Sequence, residues 1–230
     1  AERKEMQAKL KEAINAGNKI EEEYWDKRQL VKKINLNSLY GAILNPGCRF
    51  FDKRIGQSTT LTGRQIAKHM AGKVNEIVAG EYNHVGKAII YGDTDSCYFS
   101  AYKTLKKEID AGHIPWTKET VVALYDQIGE EVNGTFPQFM LDAFHVPKTR
   151  GEVIKAGREI VGSKSLFITK KRYAVLYYDK EGKRSDVDGK PGKIKAMGLD
   201  LKRSDTPEFI QNFLSDVLEM VLTGATEQEV

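Results

Sequence analysis

The sequence predicts an α+β fold, with several long helices and a few short strands. Several long stretches place apolar residues at helical spacing, two short apolar runs flank a tight turn near residues 91–96, and an aromatic-rich segment follows residue 172. The chain has 230 residues, of which 40% are hydrophobic and 30% charged, the composition of an ordered globular protein. This length allows a core of one or two structural units.

The first 40 residues are expected to be helical. Met6, Leu10 and Ile14 fall near one stripe, and Lys and Glu fill the other positions. Gly17 is expected to break this helix, because glycine is a poor helix former. A charged amphipathic segment at the start of the chain follows from this pattern.

Two more helices and a strand are predicted in the middle of the chain. One helix covers residues 60–79, and the other begins at Thr117 and ends at Asn133-Gly134. Residues 172–178 alternate in the manner of a strand, with a turn at residues 179–182 and a polar loop through Asp188. These elements are expected to form the body of the α+β fold.

A final helix is predicted to begin at Thr206-Pro207-Glu208. Thr206 is an N-cap residue, Pro207 suits the first helical position, and Gly224 is expected to close the helix. Thr226 then begins a capping box for another helix, but the sequence stops at Val230. We therefore expect the chain to be truncated in this region.

A pair of acids lies in the turn Tyr91-Gly92-Asp93-Thr94-Asp95-Ser96. Side chains alternate along an extended segment, so Asp93 and Asp95 are expected on the same side of the backbone. Close carboxylates repel unless a cation faces them, and Mg²⁺ is generally bound by one or two carboxylates and substrate phosphates. The alternative is a hairpin in which both acids only hydrogen-bond their own turn.

A polar ladder lies upstream, on the predicted first helix. Gln29, Lys33 and Asn37 follow at four-residue steps, so their side chains share one helical face, and Tyr40-Gly41 comes next. Such a face could hold a triphosphate, with Lys33 as a point charge and Asn37 as a neutral donor. The alternative is a solvated polar stripe on a helix that Gly41 ends.

Composition limits the other classes of function. Cys48 and Cys97 have no metal-binding spacing, so neither a zinc site nor a disulfide framework is indicated. The four histidines are scattered, and we expect surface or capping roles for them. No apolar run is long enough to span a bilayer, and no membrane partner is expected. The net charge of +4 permits nucleic-acid binding without indicating it.

Together these motifs resemble a known family. Lys33-x-x-x-Asn37-Ser38-Leu39-Tyr40-Gly41, followed by the acid turn, resembles motifs B and C of family B (α-like) DNA polymerases in the family's order. Lys170-Lys171-Arg172-Tyr173 is similar to the family's Lys-Lys-Arg-Tyr element, and residues 197–207 are similar to the segment that leads from palm to thumb. The likeness is greatest to the replicative polymerases of T-even-type bacteriophages.

The resemblance implies a polymerase fold and activity. It implies an antiparallel-sheet palm with packed helices over residues 42–205, the second fingers helix over residues 1–41, and the start of a helical thumb over residues 206–230. It also implies template-directed addition of dNTPs to a primer 3′ end, with two Mg²⁺ ions as cofactors. The expected partners are dNTP and primer-template DNA, in the cytoplasm of a host bacterium.

The resemblance also implies roles for individual residues. Asp95 corresponds to a ligand of the catalytic metals, and Asp93 to its neighbour, which is usually outside the direct coordination. Glu159 corresponds to a palm glutamate near the metals. The remaining assignments are dNTP contacts at Lys33, Asn37, Tyr40 and Gly41, and primer-template contacts at Thr94, Lys170, Lys171, Arg172 and Tyr173.

The basic triplet before the strand has two interpretations. A run such as Lys170, Lys171 and Arg172 is by default a solvated charged surface. Beside an aromatic strand it becomes a plausible duplex contact, because Lys and Arg neutralise phosphates. For Tyr173 and the other tyrosines of the strand, we favour packing over base stacking.

One part of the family pattern is missing. Family B catalysis needs a second aspartate, from motif A (Asp-x-x-Ser-Leu-Tyr-Pro), and no Asp of this chain has that context. We therefore expect a fragment or split subunit that is inactive alone and is completed by an N-terminal portion carrying motif A and the exonuclease. A sliding clamp would bind through a C-terminal region. The alternatives are a noncatalytic DNA-binding or scaffolding fragment and another palm-fold nucleotidyltransferase such as a cyclase, against which the helix ladder and the basic element argue.

Overall fold

The computed structural model describes residues 2–187, 189–226 and 228, and it has the predicted α+β class. None of the helices in this described part is both long and apolar enough to cross a membrane. The chain divides into two compact units, Ala1–Gly63 and Arg64–Val230. The helices are α1 Glu2–Asn15, α2 Lys19–Leu44, α3 Lys53–Ala79, α4 Tyr102–Asp110, α5 Lys118–Phe144, α6 Lys148–Gly151 and α7 Glu208–Thr223; the strands are β1 Ile89–Asp93, β2 Ser96–Phe99, β3 Ile160–Thr169, β4 Arg172–Lys180, β5 Lys183–Arg184 and β6 Lys193–Met197.

The first unit contains α1 and α2, which pack on each other. The predicted break at Gly17 is confirmed: Gly17 has a φ of +67°, and the Asn18 side chain caps α2 by accepting from the Glu21 backbone N–H at 3.3 Å. The helix then continues through Gly41 to Leu44. Gly41 therefore does not end it, because three more residues extend the helical hydrogen bonding.

Two antiparallel sheets lie in the second unit. β1 and β2 form a two-stranded hairpin. In the larger sheet β4 is central, with β3 along one edge and β5 and β6 along the other. The strand predicted for residues 172–178 is confirmed and extends to Lys180. Most of its side chains are buried, as expected for the central strand of this sheet.

The two long helices depart from their predicted limits. α3 begins at Lys53, seven residues before the predicted start. Thr117 caps α5 as predicted, but the helix runs past Asn133-Gly134 to Phe144, so the predicted end is wrong. Phe136 and Met140 continue the buried stripe beyond Gly134, and this burial outweighs the weak helix propensity of Asn and Gly. His145 ends the helix in the left-handed conformation, φ 54°.

These helices and the hairpin share one apolar core, which we call the helix core. Val74 of α3 packs with Ile128, Val132 and Phe136 of α5, and residues of β1 and β2 lie against them. A second cluster joins β4 and β6 to α7 through Ala174, Leu176 and Leu218. The hairpin is therefore supported by rigid helices rather than by a loop.

The final helix begins one residue later than predicted. Pro207, and not Thr206, occupies the cap position, and its side chain makes no capping hydrogen bond. The predicted closure at Gly224 is confirmed, with φ 104°. Glu227 and Glu229 of the predicted second capping box, and Asp188 of the predicted polar loop, lie outside the described residues.

One histidine was assigned wrongly to the surface. His69 is 6% exposed and stacks on Phe139, with ring centroids 4.0 Å apart. The Thr135 hydroxyl donates to the Val132 carbonyl at 2.7 Å, so it accepts from His69 Nε2–H at 2.9 Å, while Tyr82 Oη lies 3.0 Å from Nδ1. This arrangement suits the neutral ring.

We expect the stability of this region to depend on pH through His69. Burial, and then the nearby Lys73 charge, lower the pKa of His69. The folded state therefore favours neutral His69, so its contribution is full above the unfolded pKa of about 6.5 and is lost as the pH falls below it. Urea unfolding between pH 7.5 and pH 5 should show falling stability in the parent and a smaller fall in His69→Gln. The exposed His84 gives the control variant His84→Gln, which should behave like the parent. Equal pH dependence in all three proteins would contradict the role of His69.

Candidate functional site

The acid pair lies at the tip of the β1–β2 hairpin. Asp93 pairs with Ser96, which leaves Thr94 and Asp95 as a two-residue loop. Thr94 has a φ of 44°, a strained value for a β-branched residue. Because these residues turn rather than extend, the alternation that was expected to place both acids on one side does not apply across the tip. The hairpin itself is as predicted.

Asp93 has a cationic neighbour from the larger sheet. Lys171 Nζ lies 3.7 Å from Asp93 Oδ2, and the Thr94 hydroxyl donates to Asp93 Oδ1 at 3.2 Å. The Asp93 side chain is only 18% exposed, whereas that of Lys171 is 62% exposed. The positive charge that faces the Asp93 carboxylate in this structure is therefore the Lys171 ammonium group.

Asp95 is exposed, and within the described part of the chain its carboxylate has no hydrogen-bond or ion-pair partner. Carboxylate oxygens are the ligands that Mg²⁺ prefers. Among the same described residues, however, no group of three or more His, Cys, Asp or Glu side chains could hold a metal ion. The residues present thus fit one ligand position of a Mg²⁺ site and not a complete site.

A cavity of about 460 Å³ opens beside Asp95. Residues 95–100 of the hairpin line one side, and residues 155–165, leading into and along β3, line another. Apolar residues of α3 and α5, among them Met70, Val74 and Ile128, also line it. Burial raises the pKa of the Cys97 thiol, within the β2 wall, to about 12, so this thiol stays protonated. The cavity has apolar helical walls and an acid at the hairpin tip.

Glu159 lines the same cavity as Asp95. It immediately precedes β3, and its carboxylate accepts a hydrogen bond from Lys195 Nζ at 2.7 Å. The Glu159 side chain is 51% exposed, so this ion pair is a surface interaction. The structure thus brings Glu159 and Asp95 to one cavity, with Glu159 engaged by a lysine.

Lys170 and Lys171 form the turn between β3 and β4, and Arg172 is the first residue of β4; we call these three residues the basic turn. Lys171 has a φ of 62°, and its backbone N–H donates to Tyr91 Oη at 2.8 Å. The Arg172 guanidinium donates from Nε to the Gly198 carbonyl at 3.2 Å. A Cβ at Gly198 would lie 2.1 Å from the Lys171 carbonyl oxygen, so the backbones meet closely there. This turn is held between the acid hairpin and the segment after β6, with the Lys170 side chain exposed.

Tyr173 is a packing residue, as its position in the strand suggested. It is 4% exposed, and its ring contacts Tyr91, Tyr98 and Phe167. The Tyr98 hydroxyl donates to Tyr173 Oη at 3.2 Å. Burial is the main cause that raises the pKa of Tyr173 to about 12. This aromatic cluster fixes the hairpin against the larger sheet.

The polar ladder lies in the other unit, on α2. Lys33 and Asn37 are exposed and Tyr40 is partly buried. Gly41 lies inside the helix, and nothing is within 4 Å of the position where a Cβ would lie, so its surface is open. The Oε1 atom of Gln29, the first member of the ladder, accepts hydrogen bonds from the Arg3 guanidinium at 3.3–3.4 Å. The ladder beyond Gln29 is therefore accessible along the helix.

Two asparagines that the sequence interpretation missed bind the segments around the cavity. Asn75 of α3 is 0% exposed, and Asn133 of α5 was interpreted as a helix end. The Asn75 side chain hydrogen-bonds backbone groups 6 and 13 residues further on, and the Asn133 side chain hydrogen-bonds the backbone 23 residues further on. The sequence did contain a signal for these residues, because in each case an Asn directly follows an apolar valine within a helix. Asn is unfavourable inside a helix, so its presence there indicates that the side-chain amide has hydrogen-bond partners.

Comparison with known proteins identifies the family. The family model described as DNA polymerase family B matches residues 1–143 and 145–230. The DNA-directed DNA polymerases of Escherichia phage RB69 and Enterobacteria phage T4 are each 30% identical to this chain, over 84% and 86% of its length. The DNA polymerase delta catalytic subunit of Oryza sativa is 29% identical over 96% of the chain.

The matched region is a part of each relative. It covers 22% of the RB69 protein, 23% of the T4 protein and 17% of the rice subunit, so the chain spans about a fifth of the length of these relatives. The family model nevertheless matches nearly every residue of this chain, including the β1–β2 hairpin with its acid pair, the polar ladder of α2 and the basic turn. The chain belongs to DNA polymerase family B.

Proposed function

We propose that this chain supplies part of the active site of a DNA-directed DNA polymerase. The observation that carries the proposal is Asp95, an exposed carboxylate without a described partner, at the tip of a rigid hairpin beside a cavity. Its support from the helix core and the aromatic cluster suits a ligand that must stay in place. The family to which the chain belongs gives this geometry its chemical context.

The proposed metal ligand is Asp95, with Asp93 and Glu159 as neighbours that adjust its surroundings. When bound, two Mg²⁺ ions would favour attack by the primer 3′-hydroxyl and stabilise the departing pyrophosphate. Asp93 holds Lys171 near the hairpin, and Glu159 holds Lys195. Both acids therefore also balance the charge of nearby lysines.

The cavity suggests how the remaining ligand is supplied. Within the described residues β2 pairs only with β1, and β3 pairs only with β4. Each strand thus has a free edge, and residues of both line the cavity. We propose that the N-terminal portion, which carries motif A and the exonuclease, adds an extended segment there and brings its aspartate to Asp95.

The other parts of the chain take the roles that the family implies. We propose that residues 1–41 belong to the fingers, with Lys33 and Asn37 on the triphosphate of the dNTP and Tyr40-Gly41 beneath the new base pair. Residues 42–205 would form the palm, and residues 206–230 would begin the thumb. A sliding clamp would bind a C-terminal region of the complete polymerase.

Primer-template DNA is the proposed ligand of the basic turn. Lys170, Lys171 and Arg172 lie beside the hairpin that carries Asp95, with Thr94 at its tip and Tyr173 packed beneath. Of these three basic residues, Lys171 forms an ion pair with Asp93 of the hairpin. A lysine in this position can reach the primer end while its backbone stays fixed to Tyr91.

Lys171→Ala is expected to weaken primer-template binding about equally for all terminal base pairs, because minor-groove readout is largely degenerate. The loss should shrink as salt rises, since salt screens the charge contribution in the parent too. Fluorescence anisotropy across a salt series measures it. Lys170→Ala is the matched control, in the same turn but without an ion pair to Asp93 among the described residues. Equal affinities of Lys171→Ala and the parent at low salt would show that the triplet is only a solvated surface.

A noncatalytic DNA-binding role is the second candidate. It is favoured by the absence, among described residues, of a group of three or more acids or other ligands that could hold a metal. A chain with this role would bind primer-template DNA through the basic turn but would not support Asp95-dependent synthesis with any partner. Nucleotide incorporation therefore separates the two candidates.

A further inference from the structure

Asn75 joins the base of the acid hairpin to α3. Its Nδ2 donates to the Glu81 carbonyl at 2.7 Å, and its Oδ1 accepts from the Ala88 N–H at 3.0 Å. The Ala88 carbonyl in turn accepts from the Ser100 N–H at 2.9 Å, across the hairpin. Ala88 is therefore held on one side by Asn75 and on the other by the return strand.

The Asn75 amide is fully buried and packs closely against Gly86. Asn75 is 0% exposed, and a Cβ at Gly86 would lie 2.1 Å from its Nδ2. A buried amide whose donor and acceptor are both satisfied is rigid, because breaking either bond leaves a polar group without water. The chain thus enters β1 from a fixed point on α3.

Asn133 makes the equivalent contact from α5. Its Nδ2 donates to the Ala156 carbonyl at 2.9 Å, and its Oδ1 accepts from the Ala156 N–H at 2.7 Å. Both backbone groups of one residue are therefore held by one amide, as they would be by a neighbouring strand. Ala156 lies three residues before Glu159 and four before the start of β3.

The two asparagines share a scaffold. Asn75 directly follows Val74, and Asn133 directly follows Val132, and both valines belong to the helix core. One asparagine controls the segment that leads to Asp95, and the other controls the segment that leads to Glu159. These two acids line the same cavity.

We propose that Asn75 and Asn133 are paired positioning residues, which fix the Asp95 hairpin and the Glu159 segment to one helical core and so set their relative position across the cavity. The proposal rests on the proposed function, because it assigns these acids to the polymerase site. Neither asparagine is among the residues that line the cavity. Each acts through the backbone that it holds, and a displacement of about 1 Å at a reacting centre can cost about a hundredfold in rate.

Hydrogen exchange measured by mass spectrometry tests the two contacts on the chain itself. Asn75→Ala is expected to raise exchange by about tenfold in residues 88–99, with a smaller effect in residues 156–165, since a lost hydrogen bond is worth about a factor of ten. Asn133→Ala should show the reverse pattern. The matched control is Gln138→Ala, on the same helix as Asn133, which loses only a contact within the helix to Asp142.

Two further variants disturb the same contacts in a different way and cover the case in which an alanine variant fails to fold. Gly86→Ala should displace the Asn75 amide and reproduce the exchange pattern of Asn75→Ala. Asn133→Asp keeps an acceptor for the Ala156 N–H but places a carboxylate oxygen against the Ala156 carbonyl, so exchange should rise in residues 156–165 and less in residues 88–99. Exchange that rises uniformly in both segments in every variant would overturn the proposal, because it would indicate a general loss of stability.

The polymerase assembled with the N-terminal portion provides the second readout. Each alanine variant should lower kcat by about ten- to a hundredfold and leave the KM for dNTP within about twofold, because position and not nucleotide binding is changed. An unchanged kcat together with local exchange would overturn the positioning role. If the parent assembly shows no Asp95-dependent synthesis, the proposed function fails instead, and the exchange patterns still decide whether the asparagines hold the two segments.

Discussion

Replacing Asp95 by alanine is expected to lower template-directed synthesis by the assembled polymerase at least about a thousandfold. Asp95 is the proposed metal ligand, and loss of such a ligand removes transition-state stabilisation of several kcal/mol, where each 1.36 kcal/mol is a factor of ten in rate. Asp95 is exposed and has no partner within the described residues, so the substitution should not destabilise the fold. Single-turnover incorporation of one dNTP measures the effect directly.

Asp93→Ala is the matched control in the same hairpin. Asp93 contacts Lys171 and Thr94, and we expect it to act outside the direct coordination of the metals. Its removal should cost about ten- to a hundredfold, the usual range for a group that supports a ligand. A rate for Asp95→Ala equal to that of the parent, or a loss larger for Asp93→Ala than for Asp95→Ala, would contradict the assignment of Asp95.

The largest effect on stability is expected from Arg158→Ala. The Arg158 guanidinium bridges Asp126 and Asp179, and its side chain is 12% exposed. Asp179 is 2% exposed and also accepts from the Gly182 backbone N–H at 3.1 Å. Alanine at position 158 would leave this buried carboxylate without its cation, at a cost of about 3–5 kcal/mol. That is a large share of the roughly 5–15 kcal/mol by which domains are stable.

Urea unfolding measures the effect, and Arg203→Ala gives the comparison. Arg203 pairs with Asp205 at 2.6 Å, but the two side chains are 59% and 64% exposed. Loss of this surface pair should therefore cost no more than about 1 kcal/mol. Arg158→Met combined with Asp179→Leu should recover part of the loss, because it removes both buried charges. Equal losses for Arg158→Ala and Arg203→Ala would show that burial does not strengthen the bridge.

Local signals in the sequence predicted much of the fold. The acid turn between apolar runs, the cap at Thr117 and the glycines at positions 17 and 224 lie where expected, because each depends on a few neighbouring residues. The end of α5 was predicted wrongly because Asn133-Gly134 is typical of the C-terminal end of a helix. Burial of Phe136 and the hydrogen bonds of Asn133 to Ala156 decide otherwise, and both are contacts with distant parts of the chain.

The candidate site was predictable as individual residues but not as an arrangement. Asp93, Asp95 and Lys171 stand out in the sequence, but the ion pair between Asp93 and Lys171 joins residues 78 positions apart. The same holds for the cavity between β2 and β3, and for His69, whose hydrogen-bond partner Thr135 lies on another helix. Such contacts depend on how helices and sheets pack, which local periodicity does not encode.

Template-directed nucleotide incorporation decides whether this chain contributes Asp95 to a polymerase active site that a second polypeptide completes. The chain, a polypeptide that carries motif A, and a mixture of the two should each be incubated with primer-template DNA, dNTPs and Mg²⁺. We expect primer extension only in the mixture, because the proposed site draws one metal ligand, Asp95, from this chain, and the described residues contain no group of three or more side chains that could hold the metal. Extension by this chain alone that is lost in Asp95→Ala would contradict the account.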